Sequence, residues 1–468
     1  MSPRRRLETT FDLSSARRCH VVGVGGPGMS PIALVLKGNG HVVSGSDTQQ
    51  SPVVDSLRAA GVKVSIGHAA ANVTGADIVT YSTAIPSDNP ELLAARGAGT
   101  VVCHRSEVLA ALCTATESIA VAGTHGKTTT SALLAHILVA TGRDPSCIIG
   151  GTVPEFGSGA RVGTGGVLVL EADESDGTLD VLSPAHLVVT NIDVDHLDYF
   201  GSFSEVQESF VDAALRTRGF VVVNADDANS APVLSATAGL PTAVTFGRAG
   251  TADMRLSDFA PTANGGSFDL EFRGQRQRFD TPLRGVHNAM NCAAAVAMAC
   301  LHGVTLAESA SAVGTFGGVR RRFTERGVHR DVMFVDDYAH LPAEIEAALD
   351  SARSHPDLNG RVIAVFQPNR FHRIAVMADS YAHCFGAADL VVITDVYASG
   401  TDPIDGVTGE LVVSAVRSAH PDRPVVWAPH REDVVREVVS YMQPGDVCVS
   451  MGCGDIETFP DDLAAAVS

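Results

Sequence analysis

Between residues 119 and 138 the chain passes from an apolar run, through a short glycine turn, into a second apolar stretch. Residues 119–122, Ile-Ala-Val-Ala, read as a buried strand, and residues 131–138, Ser-Ala-Leu-Leu-Ala-His-Ile-Leu, as the start of a helix. The turn between them holds Gly123, Thr124, His125, Gly126, Lys127, Thr128, Thr129 and Thr130. Small residues let backbone N–H groups close around an anion, the helix start adds positive potential, and Lys127 adds a full charge. Thr128 then stands where a phosphate loop places its hydroxyl on Mg2+. The usual loop has a glycine five residues before its second one; here Val121 occupies that place and the first glycine comes at Gly123. The plainer alternative is a strand–helix turn whose glycines only relieve strain.

A similar pattern opens the chain. Residues 19–30 read as strand, glycine turn and helix, and fit G-x-G-x-x-G through Gly23, Gly25 and Gly28. A second strand, residues 41–47, ends in Asp47, where such folds contact a ribose hydroxyl. Strand signals follow at 62–66 and 78–81, the latter running into Ser82. Taken alone, this unit says NAD. A second unit begins near residue 115, with apolar strands that end in acids. One runs from 167 to Glu171 and on through Asp173, Glu174 and Asp176; the next from 187 to Asn191 and on through Asp193, Asp195, His196 and Asp198. A third strand covers 220–224, residues 241–284 form an antiparallel β patch, and an amide-rich helix starts with Asn288 and Asn291. A third unit has strands at 333–336, 361–366, 389–394 and 446–450 alternating with helical segments. The expected fold is α/β in three domains: Rossmann-like at 1–114, a P-loop ATPase-type parallel sheet at 115–322, and Rossmann-like again at 323–468.

Bulk properties narrow the function. A chain of 468 residues has room for about three domains. Its net charge of −19 argues against nucleic-acid partners and anionic membranes, and no apolar run reaches membrane-spanning length. The basic N-terminus has no apolar stretch behind it, so it does not read as a secretory signal. Nine scattered cysteines without a C-x-x-C pair point to reduced thiols in a cytoplasm. Lysine occurs only at Lys37, Lys63 and Lys127.

Magnesium prefers oxygen ligands and takes one or two carboxylates. Glu171 is the first choice beside Thr128, and the group from Asp193 to His196 the second. Some of Asp173, Asp176 and Asp198 read more simply as solvated or capping acids. Arginines Arg320, Arg321 and Arg322, and again Arg370 and Arg373, form cationic patches suited to phosphate or carboxylate. His340 follows Asp336-Asp337-Tyr338 at the end of a strand. The cysteines read as inert and buried throughout; Cys453, in a glycine turn, is the only one worth testing.

Together the motifs GTHGKTT from Gly123, EADESD from Glu171, NIDVDH from Asn191, GVHNAMN from Gly285, RRF from Arg321, DDYAH from Asp336 and FQP from Phe366 resemble the Mur ligases. They keep that family's order over nearly the whole chain, and lie nearest its L-alanine-adding branch. The resemblance implies an ATP-dependent ligase of peptidoglycan precursor synthesis, with UDP-N-acetylmuramate and L-alanine as substrates and ATP and Mg2+ as cofactors. A monomer or homodimer is expected. It reassigns the first glycine turn from NAD to the UDP-sugar, with Gly25, Gly26, Gly28, Met29, Asp47 and Ser82 as its contacts. By position it puts ATP on Gly123, Thr124, His125, Gly126, Lys127, Thr128, Thr129, Asn288, Asn291 and Arg322. Thr128, Glu171 and His196 would surround Mg2+, and Lys127, His196, His340, Arg370 and Arg373 would carry the reaction. The third domain would close on the nucleotide. Several relatives use a carbamylated lysine in the second domain; this chain has no lysine there except Lys127, as in the L-alanine-adding branch.

Two positions depart from the family pattern: Leu341 and Asn369 stand where histidines are usual. They leave room for another amino acid or a preformed peptide as acceptor. An NAD-dependent oxidoreductase and an inactive UDP-muramate sensor are the readings from other classes.

Overall fold

The computed structural model describes residues 6–7, 10–355 and 358–467. Met1 to Arg5, most of the basic N-terminus, lies outside them, as does the side chain of Asp198.

Three sheets carry the fold. The first is all parallel, in the order Lys63–Ile66, Val42–Asp47, Arg18–Val22, Ile78–Tyr81, Val101–His104. The earliest strand is central, so the glycine turn after Val22 opens where the strand order reverses, the usual ligand crevice of such sheets. The helix Ser30–Gly38 follows, with a proline in its first turn and Ile32, Ala33, Val35 and Leu36 buried on the sheet.

The second sheet has a parallel core in the order Ala243–Gly247, Val221–Asn224, His186–Val189, Glu117–Ala122, Val167–Glu171, Ser146–Val153, and Met254–Thr262 also pairs parallel with Ala243–Gly247. Antiparallel Ser158–Arg161 closes one edge. Met254–Thr262, Gly265–Phe272 and Gln275–Thr281 extend the other. The patch expected at 241–284 is therefore antiparallel only in its later part: its first strand, Ala243–Gly247, pairs parallel with Val221–Asn224 and continues the main sheet. Two-residue connections then force the last three strands to alternate in direction. Glu117–Ala122 lies between the two strands whose ends carry the acids. Ile119 to Ala122 are wholly buried, as a strand covered on both faces must be.

The helix after this strand is Lys127–Ala140, four residues longer at its start than its apolar part indicates. Gly126, at φ 78°, turns the chain sharply enough for Lys127 and the three threonines to form the first turn. Leu133, Leu134, Ile137 and Leu138 are fully buried, each contributing about 1.5–3 kcal/mol of apolar burial. One hydrophobic cluster joins the first two sheets, from Val21 and Ile32 to Leu170 and Phe210.

The third sheet runs Thr324–His329, Val332–Asp337, Val447–Met451, Val362–Phe366, Leu390–Ile393, Val425–Trp427, antiparallel only at its first pair. Packing divides the chain into two compact units. One is Met1–Asp258 with Phe268–Asp280 and Met290–Gly318; the other is Phe259–Ser267 with Thr281–Ala289 and Val319–Ser468. Among the described residues no helix is long and apolar enough to cross a membrane.

Candidate active site

The turn at residues 123–126 is pinned from the neighbouring strand end. Thr124 N–H donates to the Asn191 carbonyl at 3.1 Å, and His125 N–H to Asn191 Oδ1 at 2.8 Å. Asn191 Nδ2 returns a bond to the His125 carbonyl at 3.0 Å, and Thr190 Oγ1 donates to the same oxygen at 2.6 Å. His125 Nε2 meets Asp193 Oδ2 at 3.1 Å, a hydrogen bond that holds the Asp193 carboxyl below the usual range. Gly123, at φ 138°, has no room for a side chain: a Cβ would strike Thr190 Oγ1 and the Asn191 backbone. At Gly126 a Cβ would strike the Asn291 side chain, which brings that amide against the loop. Asn288, one helical turn earlier, donates instead to the Arg284 carbonyl at 2.8 Å.

Lys127 points back along its own turn. Its Nζ donates to the carbonyls of Gly123 at 2.5 Å and Thr124 at 3.2 Å, and to both carboxylate oxygens of Glu174 at 3.0 and 2.9 Å. Burial works against the ammonium, yet Glu174, then Asp173 and Glu171, hold its pKa above the ordinary value. Burial likewise pushes the Glu174 carboxyl up overall, against the pull of Lys127, which it meets through both of its oxygens.

Two sets of oxygen-rich ligands flank this pair. Thr128 Oγ1 donates to Glu171 Oε1 at 3.0 Å, and Gly150 N–H to Glu171 Oε2 at 2.7 Å. Asp173, Glu174 and His196 bring one ligand atom each within 4.8 Å of one another. The structure thus joins Thr128 to Glu171, and groups His196 with Asp173, which reads from sequence as a solvated or capping acid, and with Glu174, to which the sequence assigns no role. His196, at φ 54°, bonds Asp195 Oδ2 at 3.0 Å. Burial lowers its pKa, but Asp195, then Glu174 and Asp173, raise it overall above the ordinary value. Carboxylates beside a hydroxyl suit a hard divalent cation, so the donor set fits Mg2+.

In the first sheet Gly25 N–H donates to Asp47 Oδ2 at 2.8 Å, and Gly26 N–H to the Gly23 carbonyl at 3.0 Å. Met29 is buried and Ser82 half-buried, its carbonyl accepting from Ile85 N–H at 3.0 Å. A Cβ on Gly28 would strike Arg105, whose Nε donates to Asp176 Oδ2 at 2.8 Å. Arg105 thereby links the glycine turn to the acidic segment after Glu171. No sequence pattern singles it out.

The C-terminal unit gathers the remaining candidates at strand ends. Arg321 and Arg322 both lie over the Tyr338 ring, at 5.2 and 5.1 Å from its centroid. Asp337 accepts from Phe323 N–H at 2.6 Å and Ala339 N–H at 2.7 Å; burial lifts its pKa to about 6 despite Arg322. Buried Asp336 keeps one oxygen, Oδ1, without a hydrogen-bond partner. His340 Nδ1 lies 3.1 Å from the Tyr338 carbonyl and 3.2 Å from Glu344 Oε2. Arg370 takes a left-handed φ of 61°, and Arg373 donates through Nη1 to Asn369 Oδ1 at 2.7 Å. Leu341 and Asn369 are both buried, Leu341 at a helix start and Asn369 against Arg373. Burial raises the Cys453 thiol against the pull of Arg373, Arg370 and Arg321, which favours the inert reading there too.

Comparison with known proteins covers the same three sheets. The family model described as "Mur ligase family, catalytic domain" matches residues 18–116, "Mur ligase middle domain" residues 121–299, and "Mur ligase, glutamate ligase domain" residues 321–454. A UDP-N-acetylmuramate–L-alanine ligase of Bradyrhizobium diazoefficiens is 42% identical over 93% of this chain and 95% of its own length. The protein of that name from Rubrobacter xylanophilus is 43% identical, covering 96% of this chain and 99% of its own. The crystal structure of UDP-N-acetylmuramate-alanine ligase from Thermotoga maritima superposes with a TM-score of 0.77 at 28% identity, over 96% of this chain and 99% of that one. With its phosphate loop, acid-tipped strands and three α/β sheets, the chain belongs to the Mur ligase family.

Proposed function

We propose that this chain joins L-alanine to the lactyl carboxylate of UDP-N-acetylmuramate at the expense of ATP. The observation that carries the reading is the half-buried Lys127, its pKa held above the ordinary value by neighbouring acids, at the start of the helix that follows a central parallel strand, in a chain 42% identical over nearly its whole length to ligases of that name. In this reading Gly123, Thr124, His125, Gly126, Lys127, Thr128 and Thr129 hold the nucleotide phosphates, with Asn288, Asn291 and Arg322 completing the ATP contacts. Lys127 neutralises charge on the γ-phosphoryl group as it passes to the carboxylate. Thr128, Glu171 and His196 would hold Mg2+, which when bound neutralises phosphate oxygens. Gly25, Gly26, Gly28, Met29, Asp47 and Ser82 hold the UDP-sugar.

A muramoyl carboxylate oxygen attacks the γ-phosphorus of ATP, the β–γ P–O bond breaks, ADP leaves, and an acyl phosphate forms. The alanine amine then attacks the acyl carbon, and collapse of the tetrahedral species expels phosphate and leaves the amide. No covalent enzyme nucleophile enters; alignment and charge stabilisation carry both steps. His340, Arg370 and Arg373 serve the acyl-transfer half. Domain boundaries at 1–114, 115–322 and 323–468, a cytoplasmic location, and a monomeric or homodimeric state belong to the same proposal. The nine cysteines, none of them in a disulfide among the described residues, support the location.

A second reading, with another amino acid or a preformed peptide as acceptor, rests on Leu341 and Asn369. One assay tests both: phosphate release with ATP, Mg2+, UDP-N-acetylmuramate and a panel of amino acids and peptides. Release with L-alanine supports the proposal. Release only with another acceptor supports the second reading, and none with any acceptor from folded protein sinks both.

A further inference from the structure

Lys127 has three protons and four acceptors, so its ammonium is fully engaged before any nucleotide arrives. Two of the acceptors are carbonyls of its own turn, fixed in place by the Asn191 and Thr190 bonds. The other two belong to Glu174, which follows the neighbouring strand Val167–Glu171 and, among the described residues, is the only charged group bonded to that ammonium. Glu174 is almost fully buried, at 2% exposure. A terminal phosphate seeking Lys127 would meet this carboxylate first, and two like charges cannot share one buried ammonium without strong repulsion.

We propose that Glu174 is an internal competitor for the ATP phosphates, a latch that occupies Lys127 until nucleotide displaces it. This rests on the reading of the loop as an ATP site. The displaced carboxylate has a destination, since it already lies within 4.8 Å of ligand atoms on His196 and Asp173. A short swing releases Lys127 without unfolding the segment. The latch keeps the lysine paired in the empty enzyme and lowers apparent nucleotide affinity by the fraction of molecules in which it is open.

The test is equilibrium binding of ATP and AMP in EDTA, so that no metal bound near Glu174 enters the comparison. Glu174→Gln should tighten ATP at least tenfold and leave AMP, which lacks the distal phosphates, unchanged. Glu174→Asp, with a shorter reach, should give a smaller gain in the same direction, and it keeps the test informative should the amide variant fold poorly. Unchanged or weaker ATP binding in the folded variants overturns the latch. Wild-type protein that binds no ATP, or binds it equally after Lys127→Ala, overturns the ATP site itself, which separates the two failures.

Discussion

Lys127 carries its charge where water scarcely reaches, and its neighbours Glu174, Asp173 and Glu171 hold that charge in place. Lys127→Ala should therefore lower turnover by a factor on the order of 10²–10³ or more, the usual cost of losing a charge-stabilising donor in a transition state. UDP-sugar binding, which depends on a different sheet, should stay within twofold by calorimetry; equal loss of both would place the nucleotide sites wrongly. Asp337 gives a second residue-scale prediction. Burial raises its carboxyl from 3.8 to about 6 in the folded chain. The folded state thus binds the extra proton more tightly than the unfolded one between those values, and its stabilising effect is complete below the lower value. It is lost as pH rises through about 6, a swing on the order of 3 kcal/mol. Asp337→Asn should flatten that part of the stability curve in denaturant titrations; a curve parallel to wild type would contradict the assignment.

At the scale of elements, the loop works because two strands hold it from the side and a glycine removes a side chain where they meet. Gly123→Ala drives a Cβ into Thr190 and the Asn191 backbone, so it should cost about 1–3 kcal/mol and abolish ATP binding together. Gly99→Ala, also at positive φ but with open space around it, should cost only about 1 kcal/mol and leave ATP binding intact. Melting and nucleotide titration of the pair check this, and equal effects would deny the loop its tight fit. These elements were legible where burial is two-sided, as in residues 119–122 or 362–366, because uninterrupted apolar runs have few other uses. Edge strands were not. Thr324–His329 has a single aliphatic side chain, Val425–Trp427 is three residues long, and Ser146–Val153, beside the edge strand Ser158–Arg161, carries a Gly-Gly pair beside its bulge. The hydroxyl run after Lys127 reads as turn chemistry, yet it is helix, because Gly126 in the left-handed region completes the turn before it and leaves the first-turn N–H groups without intrahelical partners. Within the site, spacing pointed to Lys127, Thr128 and Glu171. Nothing in a run of acids distinguishes Glu174 from Asp176; only packing shows that one clamps a lysine and the other an arginine.

For the whole molecule, the three sheets follow one plan: each places its candidate residues at the carboxyl ends of parallel strands, where the proposed function puts the chemistry. The first sheet offers a glycine turn, the second a phosphate loop with acids, and the third His340, Arg370 and Arg373. No side chain in this scheme forms a bond to substrate, so the account stands or falls on the path of the carboxylate oxygen. The direct measurement is to supply UDP-N-acetylmuramate labelled with ¹⁸O in its lactyl carboxylate, with ATP, Mg2+ and L-alanine, and to weigh the phosphate released. An acyl phosphate transfers one carboxylate oxygen to phosphorus, so each phosphate formed should carry one ¹⁸O atom. Phosphate free of label, released in step with amide formation, would contradict the account.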